Sequence, residues 1–410
     1  MKHTSKLIIG SLSNLLHERK ITLCITGSVA AVECVNIARL LMRHGAEVYC
    51  VMSKASQKII HPHLMEWATG NPVVTDLTGQ IEHITLAGKH EDRVDLVLIA
   101  PSTANTIGKI ANGIDDTSVT TTASSAIGAK IPLIIVPAMH KSMYDHPAVL
   151  ENIERLKRMG VSFVSPRMEE AKAKIPDAET IVEHVIGRLG KQDLVGKRFV
   201  ITAGPTKGWL DRVRFITNPS TGKMGVAIAK EMIMRGGEVA LILGPTCVDP
   251  PIGAKTIRVE TTEDMLKAVM QEIKDDTTAF VSSAAVLDYV PEEVEDRKRP
   301  SDQAYDLKLK PTPKIIDEVR KKHKNLFVVG FKVESGVTDK ELEKRARVKI
   351  ETGVCNLVVA NDAKREGVAF GTDTNEVIVV GAEGFSIKLA LASKADIARS
   401  IVDIIVERLT

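Results

Sequence analysis

Short apolar runs of strand length alternate with amphipathic, helical patterns along this chain of 410 residues. In the first half, strands are predicted at residues 21–25, 47–52, 95–100 and 133–137, with helical patterns at 30–44, 103–111 and 148–159. Short strands that alternate with helices indicate a mostly parallel, doubly wound sheet with helices on both faces. The first half is therefore predicted to be a Rossmann-like α/β domain.

The same pattern begins again after a polar stretch at residues 191–197. New strands are predicted at residues 198–202, 239–243, 279–282, 326–331, 357–360 and 376–380, and a final helix at 394–409. A chain of this length is also too long for one ordinary core. We therefore expect two α/β domains, residues 1–190 and 191–410.

Composition narrows the class of partner. The net charge is +3, from 55 Lys and Arg against 52 Asp and Glu, and aromatic residues make up only 3%. Both values argue against a nucleic-acid-binding protein. The five cysteines form no CxxC pair, and no apolar run has the length of a membrane span. These features predict a cytoplasmic protein without a nucleic-acid or membrane partner.

A strand, a glycine-bearing loop and a helix start follow one another in residues 200–225, VITAGPTKGWLDRVRFITNPSTGKMG. The apolar run ends at residues 203–204, and NPSTGK at residues 218–223 opens the next helical pattern. This layout offers backbone N–H groups and the positive end of a helix to phosphates. The whole string resembles the nucleotide and acyl-phosphate site of the phosphopantothenate–cysteine ligases.

Further segments of the second half resemble the same ligases, in the same order. They are residues 282–289 (SSAAVLDY), 298–301 (KRPS), 307–316 (LKLKPTPKII), 329–332 (VGFK), 360–362 (AND) and 370–375 (FGTDTN). The resemblance covers residues 195–405 and implies a CTP-dependent ligase. That reaction activates the carboxylate of 4′-phosphopantothenate as an acyl-cytidylate, with Mg²⁺ assisting, and the amine of cysteine then displaces CMP.

The resemblance also assigns roles to residues of these segments. Asn218 is expected to orient the acyl group and stabilise the oxyanion, and Arg214 to hold the substrate phosphate or carboxylate. Lys298, on a long charged loop at 291–311, is expected to close over CTP, and with Lys349 to neutralise the triphosphate. Asp288 is expected to read the cytosine edge. The other expected CTP and substrate contacts are Ser282, Ser283, Ala284, Pro313, Lys314, Ile315, Ile316 and Phe331.

Three of these residues also have a purely structural interpretation. Lys298 lies in a charged run, EEVEDRKRP, that is typical of a solvated surface. Asn218 precedes a proline and can set a turn, and Asp288 can cap a helix. The resemblance also leaves the nucleotide open, because some relatives of these ligases prefer ATP to CTP.

The first half has its own phosphate-binding pattern. Gly27, Ser28 and Val29 follow the first strand, where small residues let backbone amides approach a phosphate, although a plain βα turn looks the same. Hydroxyl and amide side chains cluster in residues 100–113, and residues 137–144 read PAMHKSMY. These strings resemble the homo-oligomeric flavin-containing cysteine decarboxylases, whose cofactor is FMN. The expected FMN contacts are Gly27, Ser28, Val29, Ser53, Ser102, Thr103, Ala104, Asn105 and Ala138.

His83 falls on the position of the catalytic histidine of these decarboxylases, although a single histidine is more often structural. The resemblance implies that FMN oxidises the cysteinyl thiol of the substrate to a thioaldehyde, which accepts the electrons left by loss of CO₂. Reduced flavin then returns the electrons to the enethiol. His83 is expected to act as the general acid and base near the reacting thiol.

The chain departs from the decarboxylase pattern twice. The recognition motif usually reads PAMN, so His140 stands where an amide usually binds the substrate carboxylate. Relatives of the bacterial type also carry a cysteine in a loop that closes on the substrate, whereas here residues 169–176 read EEAKAKIP. We hypothesise that Lys172, Lys174 or His140 supplies the proton of the final step.

Together the two resemblances identify the chain as a member of the bifunctional decarboxylase–ligase family of coenzyme A biosynthesis. They imply a homo-oligomer built from decarboxylase trimers, up to a dodecamer, with paired ligase domains. Two alternatives stay open: an active ligase with an impaired or regulatory flavin domain, and a nicotinamide dehydrogenase. The dehydrogenase would need a GxGxxG turn, and neither first βα turn has that glycine spacing.

Overall fold

The computed structural model describes residues 3–169, 172–298, 306–368 and 371–409. The chain forms two compact units, Met1–Lys191 and Gln192–Thr410. In the part of the chain that is described, no helix is both long and apolar enough to cross a membrane.

The first unit is built on a parallel sheet of six strands in the order β3-β2-β1-β4-β5-β7. The strands of the whole first unit are β1 (Lys20–Ile25), β2 (Glu47–Met52), β3 (Val73–Val74), β4 (Leu96–Ser102), β5 (Leu133–Pro137), β6 (Met139–His140), β7 (Ser162–Phe163), β8 (Arg167–Glu169) and β9 (Lys172–Lys174). The strands β6, β9 and β8 form a separate small antiparallel sheet.

Helices cover both faces of this six-stranded sheet. They are α1 (Cys34–Arg43), α2 (Pro62–Thr69), α3 (Glu82–Ala87), α4 (Ala104–Ala111), α5 (Ser118–Ala129), α6 (Lys141–Tyr144), α7 (Pro147–Arg158) and α8 (Ala178–Leu189). Strand β4 is buried at every position, as expected for a central parallel strand with helices on both faces. The predicted helix from residue 30 begins instead with a 3₁₀ turn, Val29–Glu33, and continues as α1.

The second unit contains an eight-stranded sheet in the order β14-β13-β10-β15-β18-β19-β20-β21. The strands of the whole second unit are β10 (Arg198–Ala203), β11 (Lys207–Trp209), β12 (Phe215–Thr217), β13 (Glu238–Leu243), β14 (Lys255–Arg258), β15 (Thr277–Ser282), β16 (Tyr289–Pro291), β17 (Leu309–Pro311), β18 (Phe327–Glu334), β19 (Leu357–Asp362), β20 (Thr374–Gly381) and β21 (Ser386–Ser393). Its helices are α9 (Lys223–Met234), α10 (Thr262–Glu272), α11 (Ile315–Lys322), α12 (Asp339–Glu351) and α13 (Lys394–Leu409).

One edge of the second sheet is antiparallel. Strand β20 pairs antiparallel with both β19 and β21, whereas the other pairings are parallel. A four-residue turn joins β20 to β21, with Glu383 and Gly384 both at positive φ (56° and 77°). A connection this short can only reverse the chain, so the strand it adds must be antiparallel.

Candidate active sites of the two units

A cavity of about 550 Å³ lies in the second unit, beside the carboxyl ends of β10 and β15. In a doubly wound sheet this is the edge at which ligands bind. Residues far apart in the sequence meet on its lining. The predicted contacts found there are Asn218, Ser282, Ser283, Ala284, Asp288, Pro313, Lys314, Ile315, Ile316, Phe331 and Lys349.

The start of α9 is pressed against the strand ends that form the cavity floor. A Cβ atom added to Gly225 would lie 2.3 Å from Ser283 Oγ and 2.6 Å from the Cβ atom of Ala203, so only glycine fits there. Ser283 Oγ donates a hydrogen bond to the carbonyl of Thr202 (2.5 Å), and the Ala284 amide donates to Thr202 Oγ1 (3.3 Å). These contacts fix the loop after β15 against β10.

Asn218 joins two loops of this cavity. Its Nδ2 donates to the carbonyls of Ala285 (3.0 Å) and Val286 (3.3 Å). A residue that only sets a turn before a proline would not need this contact with the loop after β15. Both amide hydrogens have acceptors, so donation to an oxyanion requires the side chain to exchange one of these bonds.

The cavity is rich in positive charge. Among the described residues, five lysines line it: Lys223, Lys314, Lys332, Lys349 and Lys394. Lys314 pairs with Asp288, and Lys332 with Glu334 at 3.0 Å. Lys349 lies 3.7 Å from Asp317, and Lys223 lies 2.6 Å from Asp373. Cations in this number suit a polyphosphate ligand better than a neutral one.

Two predicted ligase residues lie off this lining. Arg214 stands between β11 and β12, where Nε and Nη2 donate to the buried carboxylate of Asp211 at 2.9 Å and 2.5 Å. Lys298 is exposed on the loop between β16 and β17, which pair with each other at its base. The rest of its motif, residues 299–301, lies outside the described residues, as does residue 370.

A second cavity, of about 710 Å³, lies in the first unit. Gly27, Ser53, Thr103 and Asn105 line it, together with residues 75–77 and 115–121. A Cβ atom on Gly27 would lie 2.5 Å from that of Ala55, so the chain approaches closely here. Hydroxyl side chains dominate the lining, and its lysines are paired with carboxylates: Lys109 lies 2.6 Å from Asp116, and Lys54 lies 3.6 Å from Asp76. A phosphorylated ligand with many hydrogen-bonding atoms fits these donors.

The other predicted flavin contacts lie beside this cavity rather than on its lining. Ser28 Oγ donates to the carbonyl of Ala138 at 3.2 Å, which ties the first βα turn to the end of β5. Ser102 is fully buried, and its Oγ has no hydrogen-bond partner among the described residues. Ala104 begins α4, and the Val29 side chain is 80% exposed.

His83 lies on α3, a short helix that packs against α5. It does not line the cavity, although α5 begins at the cavity wall. The Nδ1 atom of His83 is buried and has no partner among the described residues. Ile81, two residues earlier, has φ of 48°, which is strained for a β-branched residue. An unpaired ring nitrogen beside a strained backbone is typical of a functional position.

The small antiparallel sheet brings together the residues proposed to replace the missing cysteine. His140 on β6 pairs directly with Lys172 on β9, and Lys174 pairs with Arg167 on β8. Directly paired residues project from the same face of a sheet, so His140 and Lys172 are neighbours. His140 Nδ1 also lies 2.9 Å from Ser142 Oγ.

Comparison with known proteins agrees with both halves of this description. A family model described as flavoprotein matches residues 9–190, and one described as DNA/pantothenate metabolism flavoprotein C-terminal domain matches residues 194–409. The coenzyme A biosynthesis bifunctional protein CoaBC of Thermococcus kodakarensis is 51% identical over 404 residues, 98% of each chain. The chain belongs to this family of bifunctional coenzyme A biosynthesis proteins.

Other members of the family match at greater distance. The CoaBC protein of Methanocaldococcus jannaschii is 38% identical, over 98% of this chain and 96% of that protein. A crystal structure of the C-terminal domain of a CoaBC protein is 34% identical and covers 53% of this chain and 98% of that domain, with a TM-score of 0.45. Membership of this family removes the nicotinamide dehydrogenase from consideration.

Three lysines that line the cavity of the second unit were not predicted as site residues from the sequence: Lys223, Lys332 and Lys394. Lys223 and Lys332 stand inside motifs that carried the resemblance. Lys394 is the first residue of the last helix, where a positive charge opposes the helix dipole. That unfavourable position is the sequence feature that could have marked Lys394 as a site residue. Burial, with a smaller effect of nearby Lys223, lowers the pKa of Lys394.

Proposed function

We propose that the chain catalyses two consecutive steps of coenzyme A biosynthesis. The second unit joins 4′-phosphopantothenate to cysteine at the expense of CTP, and the first unit decarboxylates the product to 4′-phosphopantetheine with FMN. The observation that carries the proposal is the set of ligase residues that meet on one cavity, in a chain that matches bifunctional relatives over nearly its whole length.

In the ligase step, the lysine-rich lining neutralises the triphosphate, so the carboxylate of the acid can attack the α-phosphate of CTP. Pyrophosphate leaves and an acyl-cytidylate forms. Asp288 accepts a hydrogen bond from the amino group of cytosine, and its ion pair with Lys314 orients the carboxylate. The amine of cysteine then attacks the acyl carbon and CMP leaves.

Asn218, Lys298 and Arg214 have further roles in this step. One hydrogen bond of Asn218 to the loop after β15 is exchanged for one to the developing oxyanion, which a preorganised amide stabilises. Lys298 is proposed to contact the triphosphate of the bound nucleotide. Arg214 stays tied to Asp211 and holds the phosphate or carboxylate of the acid.

Mg²⁺ is proposed to accompany CTP. In the described residues no group of three His, Cys, Asp or Glu side chains could hold a metal ion. Magnesium in nucleotide sites commonly binds phosphate oxygens, water and one or two carboxylates. The phosphates of CTP are therefore proposed as its main ligands.

In the decarboxylation step, Gly27, Ser53, Thr103 and Asn105 hold the FMN. Lys54 and Lys109 offset its phosphate charge only if they exchange their pairs with Asp76 and Asp116 for the phosphate. Bound FMN supplies the two-electron acceptor that converts the cysteinyl thiol into a thioaldehyde. His83 takes the thiol proton, for which its unpaired Nδ1 or the other ring nitrogen is suited. After CO₂ is lost, the two electrons return from the reduced flavin to the enethiol, and His140, Lys172 or Lys174 supplies the proton of this last step.

An edge strand and exposed apolar residues support assembly of the chain into a homo-oligomer. In the first unit, Val29 and Val32 follow Gly27 of the cavity and are 80% and 58% exposed. In the second unit, Ile387 and Leu391 on the edge strand β21 are 40% and 52% exposed. We propose a homo-oligomer in the reducing cytoplasm, with decarboxylase trimers and paired ligase domains. All five cysteines are free.

One experiment on the purified protein tests the proposal. 4′-Phosphopantothenate, cysteine, Mg²⁺ and CTP are supplied, and pyrophosphate and CO₂ are followed together. We expect both products. Pyrophosphate without CO₂, from protein that retains flavin, would favour the alternative of an active ligase with an impaired or regulatory flavin domain.

A further inference from the structure

A buried threonine of the second unit connects two loops that line its cavity. Thr206 follows β10, is fully buried, and is not among the described residues on the cavity lining. Buried polar side chains are normally hydrogen-bonded, and their partners show which segments they hold in place. Both the hydroxyl and the carbonyl of Thr206 have partners on other segments of the chain.

The hydroxyl of Thr206 holds the loop that follows β15. The amide of Leu287, a buried residue of that loop, donates to Thr206 Oγ1 at 3.0 Å. Thr262 Oγ1, at the start of α10, lies 3.0 Å from the same oxygen. A hydroxyl with two partners is fixed in position and orientation, so it determines where the Leu287 amide lies.

Leu287 immediately precedes Asp288, the residue proposed to accept from the amino group of cytosine. The Leu287 carbonyl accepts from Thr312 Oγ1 (2.5 Å), and the Asp288 carbonyl accepts from the Thr312 amide (2.9 Å). The backbone is therefore held by Thr206 on one side of Leu287 and by Thr312 on the other. Since the Asp288 side chain is 62% exposed, this backbone does more than packing to direct it.

The carbonyl of Thr206 connects it to the other proposed reacting part of the cavity. Thr217 Oγ1 donates to this carbonyl at 2.9 Å, and Thr217 directly precedes Asn218. One buried residue thus contacts the neighbours of both Asn218 and Asp288, the proposed contacts of the acyl group and of the base. Its hydroxyl sets the place of Asp288 relative to the reacting end of the cavity.

We propose that Thr206 is a positioning residue for nucleotide recognition: its hydroxyl holds the Leu287 amide and so places the Asp288 carboxylate against the base of CTP. The inference rests on the proposed ligase function and adds to that site a residue that touches no substrate. Cytosine presents an amino donor to the carboxylate, whereas uracil presents a carbonyl oxygen at the same position. Correct placement of Asp288 therefore increases the preference for CTP over UTP.

The test compares the full-length protein with its Thr206→Val, Thr206→Ser and Thr262→Val variants. Valine matches threonine in shape but lacks the hydroxyl, so the buried Leu287 amide loses its acceptor, whereas serine keeps it. Thr262→Val is the matched control, because it removes the other buried hydroxyl of the pair and leaves the one that accepts from Leu287. Thr206→Cys, which has a weak acceptor at the same place, replaces the valine variant if that one does not fold.

Pyrophosphate release with 4′-phosphopantothenate and cysteine gives kcat and KM for CTP and for UTP, and urea unfolding gives the stability of each variant. Thr206→Val should raise the KM for CTP about 2- to 13-fold, which corresponds to one hydrogen bond of about 0.5–1.5 kcal/mol. The ratio of kcat/KM for CTP to that for UTP should fall by a similar factor. The kcat for CTP should change less than the KM, because Asp288 takes no part in bond making.

The other two variants separate positioning from stability. Thr206→Ser should restore the KM and the ratio of the wild-type protein. Thr262→Val should lower the urea midpoint and leave both kinetic values unchanged. An unchanged KM and an unchanged ratio in Thr206→Val overturn the proposal. Equal kinetic losses in Thr262→Val, or no rescue by serine, overturn it too, because the hydroxyl would then only stabilise the fold.

Failure of the positioning role and failure of the proposed function give different results. If the wild-type protein releases no pyrophosphate from CTP, UTP or ATP, the ligase function fails and the positioning role with it. If the wild-type protein turns over CTP and Thr206→Val matches it in KM and in ratio, the function stands and the positioning role fails.

Discussion

Replacing Gly225 by alanine should damage the ligase-type cavity and the second unit together. The added Cβ would lie 2.3 Å from Ser283 Oγ and 2.6 Å from the Cβ of Ala203, where unbonded atoms cannot approach so closely. The helix α9 must therefore move away from β10, or Ser283 must give up its hydrogen bond to Thr202. Either change displaces residues that line the cavity.

The size of the effect follows from these contacts. Overpacking costs about 1–3 kcal/mol, and two close contacts favour the upper half of that range. Alanine in place of glycine returns about 1 kcal/mol of helix propensity. The second unit should lose about 1–2 kcal/mol of unfolding free energy. If the displaced Ser283 also loses its expected hydrogen bond to CTP, about 0.5–1.5 kcal/mol, the KM for CTP should rise about 2- to 13-fold.

The assay can isolate the second unit because the two tryptophans, Trp67 and Trp209, lie in different units. Urea unfolding is followed by Trp209 fluorescence in a Trp67→Phe background, and pyrophosphate release gives the KM. The control is Gly128→Ala in α5 of the first unit, where an added Cβ meets no atom within 4 Å. An unchanged KM and an unchanged unfolding midpoint in Gly225→Ala would refute the reasoning.

Three further predictions follow from other contacts. Gly27→Ala should lower the flavin content of the purified protein, measured as flavin absorbance relative to protein absorbance, because its Cβ would lie 2.5 Å from that of Ala55; full flavin content would contradict the close approach. Lys172→Ala with Lys174→Ala should slow formation of 4′-phosphopantetheine and let the enethiol intermediate accumulate, because their proton transfer follows the loss of CO₂, while pyrophosphate release is unchanged; unchanged turnover and intermediate build-up would exclude the lysines as proton donors. Hydrogen bonds from the amides of Lys364, Gly336 and Val337 lower the pKa of Asp362. A depressed pKa stabilises the fold above the ordinary carboxyl value and is lost as pH falls below it, so Asp362→Asn should lower the urea midpoint at pH 7 and much less near pH 3. A pH-independent difference would contradict this assignment.

The central strands could be predicted from the sequence because buried parallel strands are continuous apolar runs. The predicted range 47–52 is that of β2, and 198–202 ends one residue before β10 does. The strand β21 was missed, because its SIKLALAS sequence lies at a sheet edge and is mostly exposed, so no burial pattern marks it. The two-residue strands β3, β6 and β7 are too short to leave a periodic signal.

The candidate sites were predictable to the extent that their residues stand in motifs. The glycine and hydroxyl positions at strand ends, such as Gly27 and Ser283, follow from local sequence. Contacts between distant segments do not. Nothing in the local sequence indicates that Asn218 forms hydrogen bonds with the loop after β15, or that packing of α13 brings Lys394 to the cavity of the second unit.

The central claim, that one chain performs both steps, is tested most directly by a single-turnover mixture. Purified protein is mixed with 4′-phosphopantothenate, Mg²⁺, CTP and cysteine labelled at its carboxyl carbon, and both pyrophosphate and labelled CO₂ are recorded. The account predicts that pyrophosphate appears first and that labelled CO₂ follows in a matching amount. Pyrophosphate without labelled CO₂, or neither product with ATP as well as with CTP, would contradict it.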